Sequence, residues 1–189
     1  GVFVNSNYGF GDKDNSAQEA GFDYDAYGLT FGGDYRFNDA WVAGVALSFS
    51  ESEVDFDQSG GDTESDGVNL TFYGSHYYQD YYFDAVLGFG QHSYDSKRNI
   101  NLTNVLNEVA TSDTDADSIS YSLGAGLAKS HGKWNNNYFA RIDGVMVDID
   151  GYTESGTFLA MQVQDQDVDS MQLIIGGQAT RAFNKNWGV

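Results

Sequence analysis

The chain has 189 residues, with 9 Lys and Arg against 28 Asp and Glu, so its formal net charge at pH 7 is −19. This acidic balance excludes a nucleic-acid binder, which needs a basic surface to neutralise phosphates. The absence of cysteine excludes disulfides and thiolate metal sites. The chain has no proline but 23 glycines, 13 tyrosines and 13 phenylalanines, a composition typical of strand-rich proteins.

Apolar residues alternate with small or polar ones along most of the chain, and this period of two predicts β-strands with two different faces. In chain order, the pattern predicts strands over 2–10, 26–37, 41–49, 68–73, 83–90, 119–128, 138–147 and 171–180. That makes about eight strands, and residues 187–189 begin another. No stretch approaches the roughly 18 consecutive apolar residues that a membrane helix needs.

The connections between these strands alternate in length. Short turns are predicted at 38–40, 79–80, 132–137 and 184–186, and longer loops rich in Ser, Asp and Gly at 11–21, 57–66, 99–117 and 151–165. Alternate connections of an up-and-down barrel lie at the same end, and outer-membrane barrels have short periplasmic turns and long outer loops. The predicted fold is therefore all-β, a single domain over 1–189 that forms an up-and-down antiparallel transmembrane β-barrel of the outer-membrane type.

Aromatic residues cluster around the predicted short turns. Tyrosine and tryptophan favour the boundary between lipid and water because one end of the side chain is apolar and the other forms hydrogen bonds. The predicted membrane-interface aromatics are Tyr35, Phe37, Trp41, Tyr81, Trp134, Tyr138 and Trp187.

The strand face opposite the apolar one carries charges, which suits a wet lumen better than a dry core. The predicted lumen-facing charges are Asp34, Arg36, Asp84, Arg141 and Asp143. Charge within a membrane is tolerated where it faces water or a partner charge. Two interpretations stay open: a hydrated pore that passes or holds an extended polypeptide, and mutual pairing that stabilises the lumen. Arg181 falls on the apolar face beside a turn, where its side chain can extend to the interface.

Catalytic and metal sites are not predicted. His76, His92 and His131 lie in neither a G-x-S-x-G nor an H-E-x-x-H setting. The alternating acids of 113–117 and 165–169 indicate a solvated rim. Residues 148–151 resemble the opening of a calcium loop, but Glu154 comes too early to complete one. The prediction is a protein without catalytic residues, metal or cofactor.

Three strings resemble the C-terminal β-domain of autotransporters, the type V secretion barrel of Gram-negative outer membranes. They are GLTFGGDYRFNDAWVAGVALSFS (28–50), GVNLTFYGSHYYQDYYFDAVLGFGQHSYDSKRNI (67–100) and DVDSMQLIIGGQATRAFNKNWGV (167–189). The resemblance implies a barrel of about twelve strands that anchors a protein and helps its N-terminal passenger reach the cell surface. It also implies three partners: outer-membrane lipid with lipopolysaccharide, the passenger, and the barrel-assembly machinery.

The family ends in a strand with a C-terminal aromatic residue, whereas this chain ends at Val189. We therefore expect about the first two-thirds of such a barrel, which does not close by itself. Two other functions stay open. A small self-contained porin-like or structural barrel of about eight strands would pair 2–10 directly with 171–183. An outer-membrane lipase or acyltransferase would need a nucleophile and base that the residue pattern does not supply.

Overall fold

A computed structural model of the chain describes residues 1–16, 20–57, 60–102, 106–184 and 187–188. Its strands are β1 Val2–Lys13, β2 Phe22–Arg36, β3 Trp41–Phe56, β4 Gly61–Tyr78, β5 Tyr81–Leu102, β6 Leu106–His131, β7 Trp134–Ile149, β8 Tyr152–Thr153, β9 Gln162–Val163, β10 Gln166–Asn184 and β11 Trp187–Gly188. In these ranges no helix has the length and apolar character needed to cross a membrane.

One antiparallel sheet contains nearly all of this structure. Its strand order is β1-β2-β3-β4-β5-β6-β7-β10-β11, and β8 pairs with β9 in a separate hairpin. Each strand of the large sheet thus lies beside the strand that precedes it along the chain, apart from the excursion through the β8–β9 hairpin. The up-and-down antiparallel topology predicted from the alternating connections is confirmed, and the sheet curves into a half-barrel.

Two of the predicted long loops are largely strand. Because β4 begins at Gly61, the predicted loop at 57–66 is mostly paired backbone. The predicted loop at 99–117 is likewise wrong, since β5 continues to Leu102 and β6 begins at Leu106. The strands therefore extend well past the apolar belt at this end of the sheet.

Cross-strand hydroxyl pairs explain why these polar segments are strands. The side-chain oxygens of Ser52 and Ser65 lie 2.9 Å apart, and those of Thr63 and Ser96 lie 3.0 Å apart. Such pairs stabilise a sheet whose faces both meet water. At the opposite end, the turn predicted over 132–137 shortens to Gly132 and Lys133, because β7 already begins at Trp134.

The two faces of the sheet differ as the period of two predicts. Along β3, Val45, Leu47 and Phe49 are exposed, whereas the intervening Ala46 is buried. Leu47 lies opposite Phe31 on β2 and Leu70 on β4, so the apolar surface continues from strand to strand. We call this surface the membrane face and the opposite, polar surface the inner face.

The chain lacks the core of a water-soluble globule. A monomer of this mass would expose about 8,900 Å², but this chain exposes 13361 Å². The only buried apolar residues in the described ranges are three alanines and Ile100, and no large side chain there is fully buried. The apolar surface is therefore covered by something outside this chain.

The sheet is open at both edges in the described residues. β1 pairs with β2 alone, and β10 meets the short β11 only at Ala182 and Asn184. At these edges Val2 is 92% exposed and Ile175 is 76% exposed, against 39% for Leu47 within the sheet. The pairing of 2–10 with 171–183 that a small closed barrel needs does not occur among these residues.

Candidate functional site

The inner face is the more crowded side of the sheet. Tyr73 lies over Gly44 and Tyr82 lies over Gly126, so close that any side chain at either glycine would collide with the ring. The hydroxyl of Tyr82 also donates to Asn137 at 3.1 Å. Side chains converge on the concave side of a curved sheet, so the crowding indicates that this polar surface is the concave side of the half-barrel.

Register gathers the five predicted lumen charges into two neighbouring rows of the inner face. One row joins Arg36, Asp84 and Arg141 through Val42, Ser75 and Gly124, and the other joins Asp34 and Asp143 through Gly44, Tyr73, Val86 and Ser122. Periodicity alone could place the charges on one face, but only the register shows that they share two rows.

Asp143 is the most fully paired of these charges. It accepts a hydrogen bond from Ser122 at 2.6 Å, and two guanidinium nitrogens of Arg141 lie 2.9 Å from its other oxygen. Asp84 accepts a hydrogen bond from Ser75 at 2.6 Å. The serine partners were missed by sequence reasoning, because they are recognisable only when the strands are in register.

Asp34 and Arg36 lie apart from that cluster, at the β1–β3 side of the sheet. The carboxylate of Asp34 lies 3.2 Å from the amino nitrogen of Gly1. Arg36 is exposed at the end of β2 next to the short turn. Arg141 and Asp143 thus belong to one hydrogen-bonded cluster. Asp34 and Arg36 lie farther along the same two rows.

The three histidines occupy unrelated places. His76 stacks on Trp41 on the membrane face, with ring centroids 4.3 Å apart, and His131 is exposed near the β6–β7 turn. His92 lies on the inner face, where its Nε2 is 3.2 Å from the hydroxyl of Ser118. Within the described ranges, no three acidic or histidine side chains come together as metal ligands.

The predicted interface aromatics that the structure describes lie on the membrane face or in the short turns. They are Tyr35, Phe37, Trp41, Tyr81, Trp134 and Tyr138, and all are exposed. The side chain of Trp187 lies outside the described residues. Arg181 projects from the membrane face onto the Trp134 ring, with its guanidinium carbon 5.4 Å from the ring centroid. A cation above an indole fits the boundary between lipid and water.

Acidic side chains dominate the outer surface beyond the apolar belt. Asp25, Glu53, Glu64, Asp95 and Asp113 fall in a single row across five strands. In a similar row nearby, a hydrogen bond with Asp167, together with burial and neighbouring carboxylates, raises the pKa of Asp148. The long-strand end of the sheet is therefore strongly negative.

The β8–β9 hairpin is held against β5 and β6 by one ion pair and by backbone hydrogen bonds. Arg98 donates to the two oxygens of Glu154 at 2.9 and 2.6 Å, and the backbone nitrogen of Met161 donates to Glu154 at 2.9 Å. Ser155 and Thr111 exchange backbone hydrogen bonds of 2.8 and 3.0 Å. Glu154 is the one buried charged residue of the described chain, with 8% exposure. Sequence reasoning missed this pair because its members are 56 residues apart.

Loss of the Glu154 charge is expected to release the hairpin. Hydrogen bonds from Arg98 hold the pKa of Glu154 below its ordinary value of 4.5, against the opposing effect of burial. The pair therefore stabilises the hairpin fully above that value, and its contribution disappears as the pH falls through the lowered pKa. We expect lower amide protection factors for residues 152–163 of the wild type below about pH 4 than at neutral pH. At neutral pH, we expect lower protection in Glu154→Gln than in the wild type.

The matched control is Glu53→Gln, which removes an acid that does not touch the hairpin. It should leave amide exchange of 152–163 unchanged. If Glu154→Gln exchanges at the wild-type rate at neutral pH, then the ion pair does not hold the hairpin.

Comparison with known families agrees with this architecture. The sequence model of the family described as the autotransporter beta-domain matches residues 2–189 of this chain. Esterase EstA of Pseudomonas aeruginosa is 27% identical over 179 residues, which is 93% of this chain. Those residues make up 28% of EstA, so the chain spans about a quarter of that relative.

Two solved structures share the fold. The translocator domain of the autotransporter NalP from Neisseria meningitidis superposes with a TM-score of 0.73 at 14% identity, over 97% of this chain and 63% of that one. The beta domain of the Bordetella autotransporter BrkA gives 0.60 at 17% identity, over 96% and 70%. The chain belongs to the autotransporter family as its β-domain, a barrel of the Gram-negative outer membrane.

Proposed function

We propose that this domain anchors an N-terminal passenger in the outer membrane, and that the inner face lines the route by which the passenger reaches the surface. The observation that carries the proposal is the division of one sheet into a continuous apolar surface and a polar, curved one. The apolar surface can be covered by lipid, whereas the polar surface needs contact with water or with a polar chain.

The two rows of charges suit a path for polypeptide. Arg141 and Asp143 neutralise each other, and Ser75 and Ser122 supply hydroxyls to the remaining carboxylate oxygens. Such a wall offers many weak hydrogen bonds and little net charge, so an extended chain can move along it without being trapped. The charges on this wall can pair with one another and still leave the lumen hydrated, as a passage for polypeptide requires.

The same proposal assigns the other partners. Phospholipid and lipopolysaccharide cover the membrane face. The unpaired edges of β1 and β10 fit the barrel-assembly machinery, because an exposed strand edge is a template for pairing with another strand. In the described residues, β1 has a strand neighbour on one side only, and most of β10 likewise pairs only with β7.

An esterase passenger is a second, more specific candidate. The relative EstA is named an esterase, and the residues that match this chain make up 28% of its length. The barrel residues themselves offer one hydrogen-bonded histidine and serine, His92 and Ser118, and no carboxylate bonded to that histidine among the contacts described. An esterase activity would therefore belong to the passenger rather than to residues 1–189.

Surface labelling of intact cells tests the proposed function. In the full-length protein, an epitope placed before residue 1 is expected to bind antibody on sealed cells and to be removed by external protease. Residues 1–189 contain no cysteine. With any cysteine elsewhere in the full-length protein replaced, single cysteines at Asp62 and Asp113 should also react from outside. Cysteines at Asn38 and Lys133, in the short turns, are the matched controls and should react only after the outer membrane is opened.

Two outcomes would contradict the proposal. An epitope that stays protected in sealed cells would show that the passenger does not cross. Labelling at Asn38 or Lys133 in sealed cells would show that the short turns face outward and that the assigned topology is inverted.

A further inference from the structure

The membrane face carries a groove near the short-turn end of β4 to β7. Its volume is about 510 Å³, and its floor consists of Gly74, Ala85, Ala125 and Ala140. Register sets Gly74 opposite Ala85 and Ala125 opposite Ala140, so small residues from four adjacent strands form one depression.

Larger side chains border this depression. Leu123, Ile142 and Leu173 lie in one row across β6, β7 and β10, and Trp41, His76 and Phe83 lie across β3, β4 and β5. The groove is thus a furrow among apolar and aromatic walls on the surface that faces lipid. Burying a hydrocarbon chain in this furrow would remove apolar surface from the solvent on both partners.

Basic residues lie just beyond the groove, at the short-turn end of β6, β7 and β10. Lys129 and Lys133 are exposed and form no ion pair with any described residue. Register brings His131, Trp134 and Arg181 side by side in the last row. We call Lys129, Lys133 and Arg181 the basic rim.

The basic rim contrasts with the rest of the chain. It holds three of only 9 Lys and Arg, against 28 acids, most of which lie toward the other end. The acidic residue Asp80 lies beside the rim, where its backbone oxygen accepts a hydrogen bond from the amide nitrogen of Ala128 at 2.8 Å. This end of the membrane face is therefore locally positive.

We propose that the groove and the basic rim form a binding site for one anionic glycerophospholipid of the inner leaflet. One acyl chain lies along the small residues of the furrow, and the phosphate lies among Lys129, Lys133 and Arg181. The inference rests on the proposed function, because it requires the short turns to face the periplasm, where the leaflet is phospholipid.

Charge decides between the two anionic lipids of this membrane. Lipopolysaccharide phosphates lie at the outer surface, beside the acidic rows that include Glu53 and Glu64. The basic rim lies at the opposite end of the strands, away from the lipopolysaccharide phosphates. Basic clusters at a membrane boundary bind anionic headgroups, so the site selects phospholipid of the inner leaflet.

Binding of defined lipids to the purified full-length protein tests the site. In nanodiscs of phosphatidylcholine containing phosphatidylglycerol, the wild type is expected to retain bound phosphatidylglycerol in native mass spectrometry. The double variant K129Q/K133Q should weaken this binding roughly tenfold. The matched control K97Q removes a cation at the other end of the strands and should bind as the wild type does.

The groove is tested separately with A125L/A140L, which fills the furrow and should also reduce phosphatidylglycerol binding. Val68→Leu adds apolar bulk to the same face of β4, away from the furrow, and should not. Equal binding of phosphatidylcholine and phosphatidylglycerol by a folded wild-type barrel would overturn the lipid site and leave the proposed function standing. A wild type that does not insert into the bilayer would overturn both.

Discussion

Leu47→Arg and Leu123→Arg are each expected to destabilise the folded protein in a bilayer by about 2–4 kcal/mol. Both side chains lie on the membrane face, at 39% and 58% exposure, with apolar neighbours on each adjoining strand. An arginine there must enter hydrocarbon or bend toward the interface, and each option loses hydration or apolar contact.

The controls are the next residues along each strand. Ser48→Arg and Ser122→Arg place the same charge on the inner face. There the native serines form hydrogen bonds with Thr30 and Asp143, so the surroundings are polar. They should cost much less than their neighbours. Free energies of folding, measured by urea titration in the presence of lipid vesicles, give the comparison. Equal losses of stability at positions 47 and 48 would overturn the assignment of the two faces.

Residues 1–189 expressed alone are expected not to form a closed, heat-resistant barrel. One long edge of β1, over Val2–Lys13, has no partner among the described residues, and Met171 and Ile175 on β10 are likewise strongly exposed. In hydrocarbon each unsatisfied backbone group costs several kcal/mol, because no water replaces the missing hydrogen bond. An isolated open sheet therefore does not persist in a bilayer.

Electrophoresis of heated and unheated samples from lipid vesicles measures closure, since closed barrels resist unfolding by detergent until boiled. The fragment should migrate as unfolded in both lanes, and amides on the free edge of β1 should exchange rapidly. A compact unheated band, together with protected β1 amides, would show β1 bonded to β10 and would support the small closed barrel.

Periodicity predicted the faces well because side-chain direction in a strand depends only on position. Once Leu47 is known to face lipid, Ala46 and Ser48 must face inward, and antiparallel pairing carries that parity to Leu70. The same logic placed Arg181 on the membrane face, where it contacts Trp134. These conclusions need no knowledge of how far the strands extend.

Strand length and long-range pairs could not be predicted in the same way. Residues 61–66 carry acids on one face and hydroxyls on the other. Because neither face is apolar, their hydrophobic pattern does not separate a solvated strand from a loop. The ion pair of Arg98 and Glu154 depends on a hairpin folding back over β5 and β6, which no local signal indicates. The groove at Ala125 and Ala140 likewise exists only through register.

Spin-label accessibility at adjacent residues tests the central claim that one face meets lipid and the other lines a wet lumen. Residues 1–189 contain no cysteine, so with any cysteine elsewhere replaced, labels can be placed singly at positions 70, 71, 119 and 120 of the full-length protein in vesicles. Labels replacing Leu70 and Ile119 should collide mainly with oxygen, which partitions into lipid. Labels replacing Thr71 and Ser120 should collide mainly with a water-soluble nickel chelate. Equal accessibility at neighbouring positions, or the reverse alternation, would contradict the account.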